Sequence, residues 1–323
     1  MSEFLIVLNA VLPVVALAVA GIVLRRLNWL TEDADRSLLR LNVNLLSPCL
    51  IFDKVLGNDA VRRLDNLVLA PLVGFGTITL GLVVALLCAG MTGLKDVRAR
   101  KSFAFTVGIY NYGFVALPLA WRLFGEETAG VLFVHNIGVE IAFWLACSFL
   151  LETQREGPLW KRIFSPPVIA ILLALTINFL RGREWMPTFL LATANLLGQC
   201  AIPMGLLITG ATIADHLGEF HARSGWRVIG AGCALRLGLL PVLFLLLAKF
   251  LPCSLELKRV MVLQAAMPSG VLSIILVKHY AGDTATTLRV VIGTSVVGLV
   301  TIPLWIRFGM HFLGLDPSGL NGS

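Results

Sequence analysis

Ten runs of apolar residues, most close to twenty long, follow one another along this chain with short polar connections between them. A run of about 20 apolar residues is what a helix needs to cross the hydrocarbon core of a bilayer. Lipid offers no partner to a free peptide group, so each run must be helical. The runs lie at 4–24, 37–55, 67–94, 102–121, 128–151, 163–180, 185–214, 228–248, 260–277 and 290–306. Only 14% of residues are charged, against about 25% in a soluble domain. The expected fold class is therefore an all-α polytopic membrane protein of ten transmembrane helices. The first run has no basic segment before it and is too long for a signal-peptide core, so it reads as a retained span.

The net charge of +7 does not point to nucleic acid. The basic residues sit mostly in the short loops, where they orient a membrane protein and meet anionic lipid. The loops after spans one, three, five, seven and nine hold more of them, among them Arg25, Arg26, Lys95, Arg98, Arg100 and Lys101. That side is expected to be cytoplasmic, with both termini on the other side of a plasma or inner membrane. The six cysteines show no CxxC spacing and read as small buried residues rather than metal ligands or a disulfide set.

The ten spans divide as five, a polar linker and five. The expected units are 1–152, a cytoplasmic linker at 153–162, a second five-helix repeat at 163–312 and a tail at 313–323. Pro48 in span two answers Pro203 in span seven, and Asn111 in span four lies opposite Pro268 in span nine. Since five is odd, the two halves run in opposite directions, as an inverted repeat. Paired interrupted spans in two such halves mark the binding site of a secondary transporter.

Span four carries the sharper of the two interruptions. Residues 107–125 (VGIYNYGFVALPLAWRLFG) hold Gly108, Asn111, Gly113 and Pro118, all poor in a helix interior. A break between Asn111 and Pro118 would leave two half-helices, and a half-helix N-terminus offers free N–H groups to an anion. The same holds at Pro268, Ser269 and Gly270 in span nine, so two such ends would hold a carboxylate without a lysine or arginine. Asn111, flanked by Tyr110 and Tyr112, is the expected polar contact, because a mid-membrane amide needs a hydrogen-bond partner.

Other polar residues inside spans are candidates for a coupling ion. Asn136 and Glu140 stand one helical turn apart on span five and share a face. Desolvation favours a protonated Glu140, which would suit a proton carrier. His135 lies beside them and is expected to be satisfied locally. Arg236 on span eight is expected to pair with Glu140, to neutralise an anion or to snorkel to the interface. Asn111, Asn136, Gln264 and Ser269 could instead supply oxygen ligands to sodium. No GxxxxGKS/T, HExxH or GxSxG motif occurs, so transport rather than catalysis is expected, with no cofactor and no resident metal.

NYGFVALPLAWRLFG resembles the fourth-helix signature of the auxin efflux carrier family, through Asn111, Pro118 and Gly125. AAMPSGVLSIILVKHYAGD resembles that family's ninth-helix pattern through Pro268, Gly270 and Tyr280, and SPCLIF and AIPMGLLITGATIA fit spans two and seven. The family includes plant auxin carriers and bacterial members named malonate or malate permeases. The resemblance implies a fold similar to bile-acid and sodium–proton transporters, with spans four and nine crossing as broken helices. It implies a scaffold of spans one, two, six and seven, and a moving bundle of spans three to five and eight to ten. It further implies a carboxylate at the crossing against Asn111, elevator-type movement and a homodimer. Two departures stand out. Ser273 replaces a second proline of the plant pattern, and Glu140 stands where plant members carry glutamine, which makes proton coupling more plausible here than the family alone implies, with a sodium-coupled symporter of bile-acid-transporter type as the alternative.

Overall fold

The computed structural model describes residues 3–151, 158–217 and 225–315. Most of the tail and the first part of the linker lie outside the described residues. Within them every regular element is helical. The first half contains α1 (Glu3–Arg26), α2 (Glu32–Leu41), α3 (Ser47–Val55), α4 (Leu64–Cys88), α5 (Val97–Gly108) and α6 (Ala116–Ala146). A short α7 (Leu159–Ile163) occupies the end of the linker. The second half contains α8 (Pro166–Phe179), α9 (Thr188–His216), α10 (Trp226–Ala234), α11 (Leu240–Phe250), α12 (Leu255–Ala266), α13 (Leu272–His279) and α14 (Thr284–Phe312).

Among the described residues, six helical stretches are long and apolar enough to cross a membrane: Leu5–Arg26, Leu64–Thr92, Ala116–Leu151, Thr188–His216, Trp226–Phe250 and Thr284–Phe312. The faces of α4 fit that reading. Val68, Leu72, Val83 and Leu87 are exposed, while Ala70, Thr77 and Ala85 are buried. Small and polar residues facing inward with large apolar ones outward is the arrangement of a helix bathed in lipid.

Several boundaries differ from the hydropathy reading, each for a local reason. The second helical stretch starts at Glu32, not at 37, because Thr31 caps it by accepting the Ala34 N–H at 3.3 Å. Acidic Glu32, Asp33 and Asp35 in its first turn suit the positive end of a helix. It continues through a π-helical turn, Asn42–Leu46, into α3. A second π-helical turn, Leu235–Leu239, joins α10 to α11 and carries Arg236.

α6 bends at Gly125, whose φ of 84° and ψ of −177° are outside the helical region. Only glycine adopts that conformation at little cost, and the bend falls between the expected end of span four at 121 and the expected start of span five at 128. Past the bend, α6 packs closely on α4: a Cβ at Gly138 would collide with the Pro71 carbonyl, and one at Gly74 with the His135 carbonyl. Glycine at both places lets the two helices approach and brings the polar face of α6 towards the molecule's centre.

One large apolar cluster runs through the described part of the chain, with Ile51, Ile78, Phe103, Phe105, Leu132, Phe143 and Phe244 at its heart. Ionic contacts gather at helix ends. Arg25, at the end of α1, pairs with Asp35 on α2 and with Asp215 on α9. Lys54 on α3 is 5% exposed and lies 3.0 Å from both Asp53 and Glu126. Its ammonium also sits 3.9 Å from the ring centre of Trp121. This clasp joins α3 to the Gly125 bend.

Candidate functional site

The two interrupted segments cross at their interruptions. α5 ends at Gly108, and the chain regains helix only at Ala116. α12 ends at Ala266, where Met267 turns extended (φ −71°, ψ 138°). Proline at 268 disfavours the helical region for the residue before it. Between the breaks Tyr110 and Ser269 form an isolated antiparallel bridge. The Asn111 N–H donates to the Pro268 carbonyl at 2.8 Å, and the Gly270 N–H donates to the Ile109 carbonyl at 2.9 Å. Peptide groups freed by one break thus satisfy those freed by the other.

This pairing revises three expectations. First, the Gly270 N–H is already bonded, and the Ser269 N–H donates to the Thr294 hydroxyl at 3.2 Å. The N–H groups of Val115 and Val271, which lead into α6 and α13, have no partner among the described residues. Second, Pro118 is the third residue of α6 and buried. In a first turn its missing N–H leaves no bond unmade, so it begins the second half-helix and does not lie in the break. Third, the break spans 109–115, so Asn111 is inside it rather than at its edge.

The Asn111 carboxamide is half-buried and makes no hydrogen bond among the described residues. Its neighbours are tightly held. The Tyr110 hydroxyl is 2.9 Å from Thr77 Oγ1. The Tyr112 hydroxyl donates to Glu140 Oε1 at 2.8 Å. The Tyr112 carbonyl, freed by the break, accepts from Asn136 Nδ2 at 3.1 Å and Gln264 Nε2 at 3.4 Å. Asn136 and Gln264, from different halves of the chain, also meet at 3.4 Å. The sequence-based candidates Tyr112, Asn136, Glu140 and Gln264 therefore form one cluster.

His135 belongs to the same cluster and is fully buried. Its Nδ1 lies 3.2 Å from Asn136 Oδ1. With Asn136 Nδ2 committed to a carbonyl, Oδ1 is the acceptor, so Nδ1 carries the proton. His135 Nε2 is left without a partner among the described residues, so local satisfaction of this side chain is incomplete. Gln264 Oε1, Ser269 Oγ and Ser273 Oγ are buried and unpartnered in the same sense. Ser273 sits inside α13, one turn past the bridge, where the plant-type pattern has its second proline.

Arg236 neither snorkels nor pairs with Glu140. It is fully buried and its guanidinium closes the open end of α12. Nε donates to the Met267 carbonyl at 2.8 Å, and Nη2 to the Gln264 and Ala265 carbonyls at 2.8 and 3.3 Å. Its Cζ lies over the Tyr110 ring at 4.9 Å and over the Phe244 ring at 5.3 Å from the ring centres. The break in span nine exposes those carbonyls, and arginine's planar fork of donors is the side chain that reaches several at once.

Sequence reasoning passed over Thr77, Thr294, Phe114 and Gly205. Threonines inside apolar runs were the available signal for the first two. A Cβ at Gly205 on α9 would collide with the Phe114 ring, so that glycine gives the break its seat on α9. Nothing in the local pattern marks this contact, which joins residues far apart in the chain.

The membrane transport protein family matches the chain over residues 6–159 and again over 155–306. Its relatives include an uncharacterized transporter of Methanothermobacter thermautotrophicus, 27% identical over 92% of this chain and 96% of that one. The uncharacterized transporter MJ1031 of Methanocaldococcus jannaschii is 22% identical over 93% of this chain and 98% of its own. The uncharacterized transporter YfdV of Escherichia coli is 23% identical over 91% of this chain and 95% of its own.

Proposed function

The chain belongs to the membrane transport protein family, and from that premise we propose that it is a secondary carrier of a small organic anion, a mono- or dicarboxylate of auxin- or malonate-like kind. One observation carries the reading. In a chain that is 57% hydrophobic, the buried polar atoms without partners among the described residues include His135 Nε2, Gln264 Oε1, Ser269 Oγ and Ser273 Oγ, all on the two breaks or on helices packed against them. Unsatisfied polar groups in a native interior call for a missing ligand, ion or water. Asn111, half-buried in the break with a carboxamide that makes no hydrogen bond among the described residues, is the group proposed to meet the carboxylate, with Tyr110, Tyr112, Pro118, Pro268, Ser269, Gly270 and Ser273 around it.

The proposed architecture is ten spans in a five-plus-five inverted repeat. Spans three to five and eight to ten would move as an elevator against spans one, two, six and seven, which would also form a dimer contact. Glu140 would carry the coupling proton, its carboxyl tied to the break through the Tyr112 hydroxyl. A sodium-coupled second reading draws on the unpartnered Gln264 Oε1 beside the Tyr112 carbonyl, oxygens of the kind a hard cation binds. Binding or flux that needs sodium and ignores a pH gradient would favour it.

The test is binding by the purified protein, followed as a thermal shift with small organic acids. Asn111→Ala should abolish the shift given by an acid that stabilises the wild type, while the ligand-free melting temperature holds. An unchanged shift removes Asn111 from the site.

A further inference from the structure

Four helix ends meet at the crossing. α5 and α12 arrive with their C-terminal ends, and α6 and α13 leave with their N-terminal ends. Each end acts as about half a unit charge, negative at a C-terminus and positive at an N-terminus. Two of each sign around one centre cancel, so the breaks alone give no preference for an anion over a cation. The preference must come from a side chain.

Arg236 is the group that unbalances the four ends. It is fully buried, and three backbone carbonyls at the end of α12 take its Nε and Nη2. Nη1 has no partner among the described residues, and no carboxylate there pairs with the guanidinium. The carboxyl of Glu140 is turned instead to the Tyr112 hydroxyl. The Tyr110 ring under the guanidinium belongs to the bridge itself. A buried positive charge thus stands at the crossing with helix-end carbonyls and ring faces for company but no counter-ion. Inside a membrane, such a charge is costly until something negative offsets it.

We propose that Arg236 is the positioning residue that makes the crossing an anion site. It cancels the negative end of α12 and leaves a net positive potential for a carboxylate to neutralise, acting through that helix end rather than by touching the substrate. This rests on the carboxylate reading above. A unit charge about 8 Å away, at an effective dielectric near 20, changes an anion's affinity by roughly 30-fold.

The experiment uses the full-length protein in detergent, with malonate and acetate as anionic probes and malonamide and acetamide as their uncharged counterparts. Wild type, Arg236→Lys and Arg236→Gln are titrated by thermal shift. The expected result is that Arg236→Gln loses at least about tenfold in affinity for the acids with no change towards the amides, while Arg236→Lys, which keeps the charge but not the fork, stays within about threefold of wild type. Equal acid affinity in wild type and Arg236→Gln overturns the proposal, as does equal loss towards acids and amides. If Arg236→Gln does not fold, Arg236→Lys decides: a folded lysine variant without acid binding overturns it, and one that binds the acids supports it. A wild type that answers no acid overturns the carboxylate reading and this proposal with it, a result distinct from the others.

Discussion

Lys54→Met should loosen the bend at Gly125 without disturbing the rest of the molecule. The lysine joins α3 to that bend through two contacts of different strength. Its ion pair with Glu126 is 3.0 Å long, but the Glu126 side chain is 63% exposed, so solvent screens the pair to about 0–1 kcal/mol. The ammonium lies 3.9 Å from the centre of the Trp121 ring and is itself almost wholly buried, which places the cation–π contact at about 1–2 kcal/mol. Asn58 Nδ2 still holds the Glu126 carbonyl at 2.9 Å in the variant. Asp53 keeps its bond from Asn195 at 3.0 Å. The net loss is about 1–3 kcal/mol, confined to local opening, or roughly 5- to 150-fold faster amide exchange. Hydrogen–deuterium exchange resolved by peptide should show that increase over 119–130 and leave 284–312 unchanged. Exchange over 119–130 equal to wild type would refute the reasoning, and an equal increase in α14 would show global rather than local loosening.

Two further substitutions probe the crossing. Glu140→Gln keeps an oxygen to accept from Tyr112 but cannot take up a proton; acid binding should persist while its pH dependence flattens, and a wild-type pH profile in a binding titration would remove Glu140 from coupling. Gly205→Ala drives a methyl group into the Phe114 ring and should cost about 1–3 kcal/mol of stability as an overpacked contact. A lower melting temperature should be largely restored in the double variant with Phe114→Leu, and additive losses would show that the two residues do not press on each other.

The long helices were legible because lipid imposes one rule on every apolar run. The breaks were legible because Gly108, Asn111, Gly113 and Pro268 are poor in any helix interior. What sequence did not show is the state of the peptide groups those residues release. Local reasoning treats a broken helix as a pair of open ends. In the folded chain the ends meet one another, so Asn111 and Gly270 spend their N–H groups on Pro268 and Ile109. The partners lie in different halves of the chain, and no local pattern pairs them. Pro118 shows the same limit from the other side: its residue type announces an interruption, but only the start of α6 at Ala116 shows that it lies just past one.

Arg236 is where this limit matters most for function. Counting only the N-terminal ends of the half-helices suggests that a carboxylate needs no cation, and an arginine in a span then asks for an acidic partner. Counting all four ends reverses both conclusions. The positive ends of α6 and α13 are offset by the negative ends of α5 and α12, so the anion site proposed above would need a cation after all. The carbonyls at Gln264, Ala265 and Met267 already hold one. A glutamate paired to Arg236 would restore the balance and abolish the preference for anions. The hydrogen bond from Tyr112 to Glu140 is therefore part of the same design, because it gives the one carboxyl group of the cluster a partner other than the arginine. On the carboxylate reading proposed above, a neutral, protonated Glu140 would leave the positive charge to the substrate. An ionised Glu140 would compete with the substrate for it, and that competition would couple proton uptake to anion binding.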